Sequence, residues 1–234
     1  KKTSEILEIS KKDLADIICK NLPISIKKFD RLIKEAKLLM DLNEIKIKLK
    51  GSIHSYPSIF RVDKDFWRLV GLWIAEGDFN GYTVRIHNGN PEIREDAEKI
   101  CKRYNFNISK NKTCFSINSL FLQKVFRNVL GLPTGAENKR LPSIIYTLDK
   151  ESKSNLLKGY FSGDGSISHQ ENSGTKIEAG TISQQLANDI LYLLLDFGIV
   201  ASLYKKKERT GSITYRISIL SYKNFKNFKE IGFI

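Results

Sequence analysis

The chain has 234 residues, 41% of them hydrophobic and 28% charged, with a formal net charge of +13. That is enough chain for one large domain or two small ones. No apolar run approaches the ~20 residues of a membrane span, and Lys1-Lys2-Thr3-Ser4-Glu5 opens no signal-peptide core, so no membrane partner is expected. Cys19, Cys101 and Cys114 are odd in number and far apart. They argue against a disulfide framework and predict a reducing, cytoplasmic setting. His54, His87 and His169 have no zinc-like spacing. The positive charge permits a polyanion partner, although a biased genome or a thermophilic host also enriches lysine.

Residues 1–62 read as a mainly helical extension, with helices over Lys11–Lys20 and Ser25–Leu42 and a hairpin of Ile45–Leu49 with Tyr56–Val62. The join at Asn21-Leu22-Pro23 allows a helix-turn-helix with a β wing. A plain helical extension accounts for the same pattern. Asp63–Glu76, DKDFWRLVGLWIAE, has apolar residues at helical spacing and Asp63 as N-cap. The turn Asn80-Gly81 precedes a strand over Tyr82–His87. Pro91 opens a helix whose early acids and late bases suit the macrodipole. Strands follow at Phe106–Ser109 and Thr113–Asn118, then a helix over Leu120–Leu130 that Gly131 and Pro133 end.

The same order then returns. Lys150–Gly163 reads as a helix, and Ser166–Ser168 with Lys176–Ile182 as a hairpin around the polar loop His169–Thr175. Gln184–Phe197 is an apolar helix closed by Gly198, Ile199–Lys205 and Ile213–Leu220 are strands about Thr210-Gly211, and Tyr222–Ile231 is a last helix. Even the closing segments agree, NVLGL at 128–132 against KEIGF at 229–233. The reading is a duplicated αββαββα unit, one copy over 63–148 and one over 149–234. The fold class is α+β, with pseudo-two-fold symmetry.

Aligning the first helix of each copy sets LVGLWIAEG (69–77) beside LKGYFSGDG (157–165). Small residues recur at i and i+4, Gly71 with Ala75 and Gly159 with Gly163, so each helix has one face without bulk. Two such faces let backbones approach closely, a logic best known from membranes. The two helices are therefore expected to form the seam between the copies. Glu76 and Asp164 each follow that face by one position, and a two-fold seam would bring both carboxylates out together. Clustered carboxylates repel and resist burial unless a cation joins them. Hard oxygen ligands suit Mg²⁺, and carboxylate-held divalent metal serves phosphodiester hydrolysis. Singly, each acid is an ordinary helix-end residue; aligned, the pair is not.

These nonamers resemble the two signature copies of the LAGLIDADG homing endonucleases in their single-chain, two-motif form, many of which lie within inteins. The resemblance covers about residues 63–234. It implies a saddle of two antiparallel sheets over double-stranded DNA, a long asymmetric target site, and a monomer with pseudo-dimeric symmetry. It also implies Mg²⁺ (or Mn²⁺) held by the motif acids, Glu76 and Asp164. The family's lysine in a K-x-(I/L)-P-like context matches Lys139 in Asn138-Lys139-Arg140-Leu141-Pro142; its symmetric counterpart would follow the last helix, beyond Ile234. Asn88 and Ser183, at the ends of second strands, are weaker candidates for positioning water. Strand alternation puts Thr83, Arg85 and His87 on one face and Thr214, Arg216 and Ser218 on another. Arg85 and Arg216 are expected to read bases, His87 to contact the DNA beside them, and Lys110, Lys112, Lys205, Lys206 and Lys207 to meet phosphates; solvated sheet residues and turns are the plain alternative. A non-cleaving DNA-binding regulator on the same scaffold, or an RNA maturase, would carry the same charge and fold.

Overall fold

The computed structural model describes residues 2–20, 22–36, 41–50, 52, 54–170, 174–208 and 211–234. It divides into two compact units, Lys1–Arg61 and Val62–Ile234. The first unit contains α1 (Lys2–Leu7), α2 (Lys11–Cys19), α3 (Ile26–Ala36) and a two-stranded antiparallel pair, β1 (Lys46–Lys48) with β2 (Ser55–Pro57). Ser10 caps α2, its side chain accepting from the Asp13 N–H. Helix α1 went unread in the sequence. The expected helix over Ser25–Leu42 is described only to Ala36, and Asn21 of the expected turn lies outside the described residues.

The second unit holds α4 (Lys64–Glu76), β3 (Gly77–Asn80), β4 (Thr83–Ile86), α5 (Pro91–Arg103), β5 (Ile108–Lys110), β6 (Phe115–Asn118) and α6 (Leu120–Lys124). It continues with α7 (Lys150–Asp164), β7 (Gly165–Gln170), β8 (Gly174–Thr181), α8 (Gln184–Leu195), β9 (Ser202–Lys207), β10 (Ile213–Ile219) and α9 (Tyr222–Phe228). Each copy builds one four-stranded antiparallel sheet, in the equivalent orders β3-β4-β6-β5 and β7-β8-β10-β9. Both helices that open a copy are capped by aspartate, Asp63 on the N–H groups of Asp65 and Phe66, and Asp149 on that of Ser152. The close of each copy repeats as well. Gly131 and Gly232 both adopt left-handed φ, 66° and 65°, which a side chain would strain.

Two sequence expectations need correction. The residues after Glu76 are not merely a turn: α4 passes directly into β3, which pairs with β4 across Asn80-Gly81 and supplies the second strand of that hairpin. The helix expected over Leu120–Leu130 changes at Lys124 into a π-helical turn, Val125–Val129, whose wider hydrogen bonding periodicity alone does not reveal. Part of the polar loop after His169, residues 171–173, and Thr210 lie outside the described residues.

The core sits beneath the sheets around the two opening helices. Trp73, Phe66 and Phe126 meet edge to face with Trp73 also against Phe79, while Tyr160, Phe161 and Phe228 play that part in the second copy. Arg68 ties this core together by donating to Asp96, Asp65 and Asn155 at 2.6 Å each.

Candidate active site at the helix seam

Helices α4 and α7 touch backbone to backbone. A Cβ on Gly71 would lie 2.0 Å from the Leu156 carbonyl oxygen, and one on Gly159 would lie 2.1 Å from that of Arg68. One turn on, a Cβ on Gly163 would meet the Ala75 methyl at 2.5 Å and Glu76 Cγ at 3.3 Å. The small-residue faces read from the sequence are thus the seam. It delivers Glu76 and Asp164 to the same place, because each is the last residue of its helix.

Both carboxyls are partly buried, and both hold protons more tightly than ordinary acids. Burial pushes Glu76 up, against the pull of Lys139 and His87. Burial and the negative charge of Glu76 push Asp164 to about 7, again against Lys139. Asp164 therefore feels the charge of Glu76, and one lysine serves both acids.

Lys139 is 9% exposed. Its Nζ donates to the Ala75 carbonyl at 2.8 Å and reaches that of Trp73 at 3.5 Å, 5.6 Å from the centre of the Trp73 ring. Burial lowers its pKa, while Asp164, Glu76 and Asp78 oppose that. The segment that carries it is clamped to α8 at two points. The buried Ser183 hydroxyl donates to the Lys139 carbonyl at 2.6 Å and caps α8 by accepting from Leu186 N–H. Asp189 accepts from Leu141 N–H at 2.9 Å and is itself held by Gln185. Ser183 is therefore corrected from a water-positioning residue to one that positions Lys139, its proton being committed. Asn88 accepts from the Asn90 N–H in the turn before α5.

Among the described residues no group of three or more His, Cys, Asp or Glu is arranged to hold a metal ion. Two partly buried carboxylates, both raised by burial and Asp164 also by Glu76, nevertheless fit a hard divalent cation that keeps waters and takes a phosphate to complete its shell. Such a cation would relieve the repulsion that raises Asp164.

The open sheet faces carry charge in different ways. On the first sheet Arg85 makes a two-pronged pair with Asp78, 2.6 and 2.5 Å, and His87 Nε2 lies 3.4 Å from the same carboxylate. Burial pushes Asp78 up, but these partners outweigh it and hold the carboxyl low. On the second sheet Glu178 lies among Ser218, Tyr204 and Lys176, which bring it to about 2 against burial. Arg216 and Lys206 share that face, because Thr214, paired with Lys206, lies two residues from Arg216. Lys112 and Lys207 are exposed.

Lys110 and Lys205 are corrected. Lys110 pairs with the buried Phe115 and bonds Glu98 of α5; Lys205 pairs with Tyr215, its Nζ 5.6 Å from that ring, and Tyr215 bonds Gln184 of α8. Both lie on the helix side of their sheets, away from Arg85 and Arg216. Asp78, Asp189 and Glu178 were missed in the sequence. Asp78 had a signal: it stands opposite Arg85 once the hairpin closes at Asn80-Gly81. Asp189 and Glu178 acquire their partners only through long-range packing.

Known proteins resemble this chain in sequence and in fold. The LAGLIDADG-like domain family matches residues 151–232. A DNA polymerase of Thermococcus hydrothermalis is 26% identical over 209 residues, 85% of this chain and 12% of the polymerase. An uncharacterized protein of Methanocaldococcus jannaschii, MJ1054, is 30% identical over 78% of this chain and 24% of its own length. A glutamine–fructose-6-phosphate aminotransferase of the same organism is 28% identical over the whole of this chain, 23% of its own length. The chain therefore spans less than a quarter of each of these relatives. Among solved structures, I-DmoI in complex with DNA and Mn shares the fold at TM-score 0.51 and 16% identity, covering 72% of this chain and 96% of that one. Full-length DUF199/WhiA from Thermatoga maritima shares it at TM-score 0.53 and 16% identity, over 72% and 55%. Residues 151–232 carry the LAGLIDADG-like domain, and the two pseudo-symmetric αββαββα copies, joined through glycine-faced helices that each end in an acid, share the fold of these solved structures.

Proposed function

We propose that this chain is a site-specific, divalent-metal-dependent endonuclease for double-stranded DNA. The observation that carries the reading is the convergence of Glu76 and Asp164 at one seam beside a single buried lysine. Neither a plain DNA-binding surface nor a packing role calls for two carboxylates whose burial raises the cost of ionising each, Asp164 also facing the charge of Glu76. The relatives support a mobile module, since a polymerase and an aminotransferase share this segment and little else is implied by their names. A segment spliced into unrelated hosts, as an intein is, fits that distribution. The I-DmoI structure, which holds DNA and Mn, supports the choice of partner and metal.

In this mechanism the two sheets bind a long, asymmetric duplex site, because their faces differ residue by residue. A bound Mg²⁺ or Mn²⁺ supplies Lewis-acid charge at a phosphoryl oxygen and lowers the pKa of water. Glu76 and Asp164, once deprotonated, would hold that cation. Lys139, kept in place by Ser183 and Asp189, contributes positive charge toward the phosphate as its negative charge grows.

The test begins by selecting cut sites from a randomised duplex library with Mg²⁺. On a plasmid carrying the selected site, Glu76→Gln and Asp164→Asn are expected to lose double-strand cleavage while binding in Ca²⁺ persists. Undiminished cleavage by both variants overturns the proposal. A wild-type chain that binds the site and never cuts it makes the protein a non-cleaving binder instead.

A further inference from the structure

The two copies share one register up to their acids and differ just there. In the first copy Gly77 pairs with Ile86, and Ile86 with Phe115. One step toward the acid, His87 donates its N–H to the Glu76 carbonyl at 2.9 Å, and Cys114 is the residue before Phe115 at the end of the neighbouring strand. In the second copy Gly165 pairs with Ala179, and Ala179 with Ile217. One step on, Gly180 takes the place of His87, and Arg216, its registered partner, takes the place of Cys114.

The exchange opens space. Arg216 lies over the bare glycine, with Cδ 3.5 Å and Nε 3.6 Å from where a Cβ on Gly180 would stand. A cleft of about 380 Å³ results, lined by Ala75, Lys139, Asp164, Gly180, Thr214 and Arg216 among others. Arg216 Nε is buried and has no hydrogen-bond partner among the described residues, and Nη2 stands 3.6 Å from Glu208, beyond a good hydrogen bond. Buried donors without a partner are rare in folded proteins, and the Arg216 side chain as a whole stays about a third exposed to whatever enters the cleft. In the first copy His87 fills the corresponding position, Nε2 3.4 Å from Asp78, and Cys114 is buried with its thiol on its own neighbour's carbonyl.

Resting on the nuclease reading, we infer that this cleft binds the scissile phosphate of one DNA strand, with Arg216 as a phosphate-binding catalytic residue beside Lys139 and Asp164. His87 holds the same post for the other strand at Glu76. A guanidinium fork matches two phosphoryl oxygens and never gives up its proton. Arg216 thus stabilises charge while water's oxygen bonds to phosphorus, the opposite P–O ester bond breaks, and a proton from that water ends on the leaving oxygen. The two strands are cut by chemically different devices, and Arg216, expected from the sequence to read a base, belongs to one of them.

The experiment uses the full chain and a supercoiled plasmid carrying the selected site, with nicks mapped to each strand. Wild type gives linear product. Arg216→Met is expected to slow one cut roughly 10²-fold, so open circles nicked in a single strand accumulate. His87→Ala leaves its nick in the opposite strand, and Arg216→Lys recovers part of the lost cut, keeping charge without the fork. Binding of the same site in Ca²⁺ shows that each variant folds. Linear product at the wild-type rate from Arg216→Met, or nicks in the same strand from both variants, overturns the inference. A wild-type chain that never cuts overturns the nuclease reading first.

Discussion

Glu76 and Asp164 occupy equivalent ends of equivalent helices, yet their surroundings are not copies. Around Glu76 the first sheet places His87 and the Asp78–Arg85 pair, so the acid sits in a charged, hydrogen-bonded setting. Around Asp164 the second sheet leaves a cleft floored by Gly180, and burial with a facing carboxylate raises its pKa to about 7. The packing that brings the acids together is symmetric, whereas the chemistry around them is not. Duplication fixes the backbone frame, and side chains at a few registered positions then set each half's electrostatics separately. A single chain can diverge in this way because neither half has to match an identical partner.

The largest effects are expected where the symmetry is strictest. Gly71→Ala and Gly159→Ala each force a Cβ to within about 2 Å of a carbonyl oxygen of the facing helix. The helices must separate, and the cost is about 3 kcal/mol or more at either site, well beyond the ~1 kcal/mol alanine gains in a helix interior. Chemical denaturation should give equal losses for the two within about 0.5 kcal/mol. A large loss at one and none at the other would break the picture of a two-fold seam.

Next comes the electrostatic contrast, read as stability against pH without divalent metal. Asp164 ionises near 3.8 in the unfolded chain and near 7 in the fold, so the folded state binds the extra proton. Stability is then full below about pH 4, falls as pH rises towards 7, and stays low above it, by at most about 4 kcal/mol. Asp164→Asn should therefore raise the metal-free melting temperature at pH 8 by up to several degrees and leave it unchanged at pH 4. Glu76→Gln should do the same more weakly. If Asp164→Asn destabilises at pH 8, the acid is held by a favourable partner and the contrast between the two ends fails.

Much of this was legible in the sequence because it is local. The glycine spacing of LVGLWIAEG and LKGYFSGDG sets the seam, the N-caps Asp63 and Asp149 start the helices, and the acids follow by one position. What escaped is set by register between distant segments. Nothing near Gly180 says that Arg216 will lie across it, 36 residues on, and nothing near Ser183 says that its hydroxyl will reach the Lys139 carbonyl. Lys110 and Lys205 were placed by charge alone, without fixing which face of a strand each occupies. The π turn at Val125–Val129 has the apolar pattern of an ordinary helix.

The smallest expected effect tests that last point within one dipeptide. Lys205 and Lys206 are adjacent and alike in charge, but Lys205 pairs with Tyr215 on the helix side and Lys206 with Thr214 on the face of Arg216. A lysine that neutralises a phosphate adds about one unit to the slope of log affinity against log salt concentration. Lys206→Ala should reduce that slope by about one on the selected duplex, and Lys205→Ala should leave it unaltered. The ion pair of Lys206 with Glu208, 3.3 Å, is exposed and screened, so it should yield readily to a phosphate. Equal slope changes for both lysines would mean that the duplex follows the outer edge of β9 rather than the open face of the sheet.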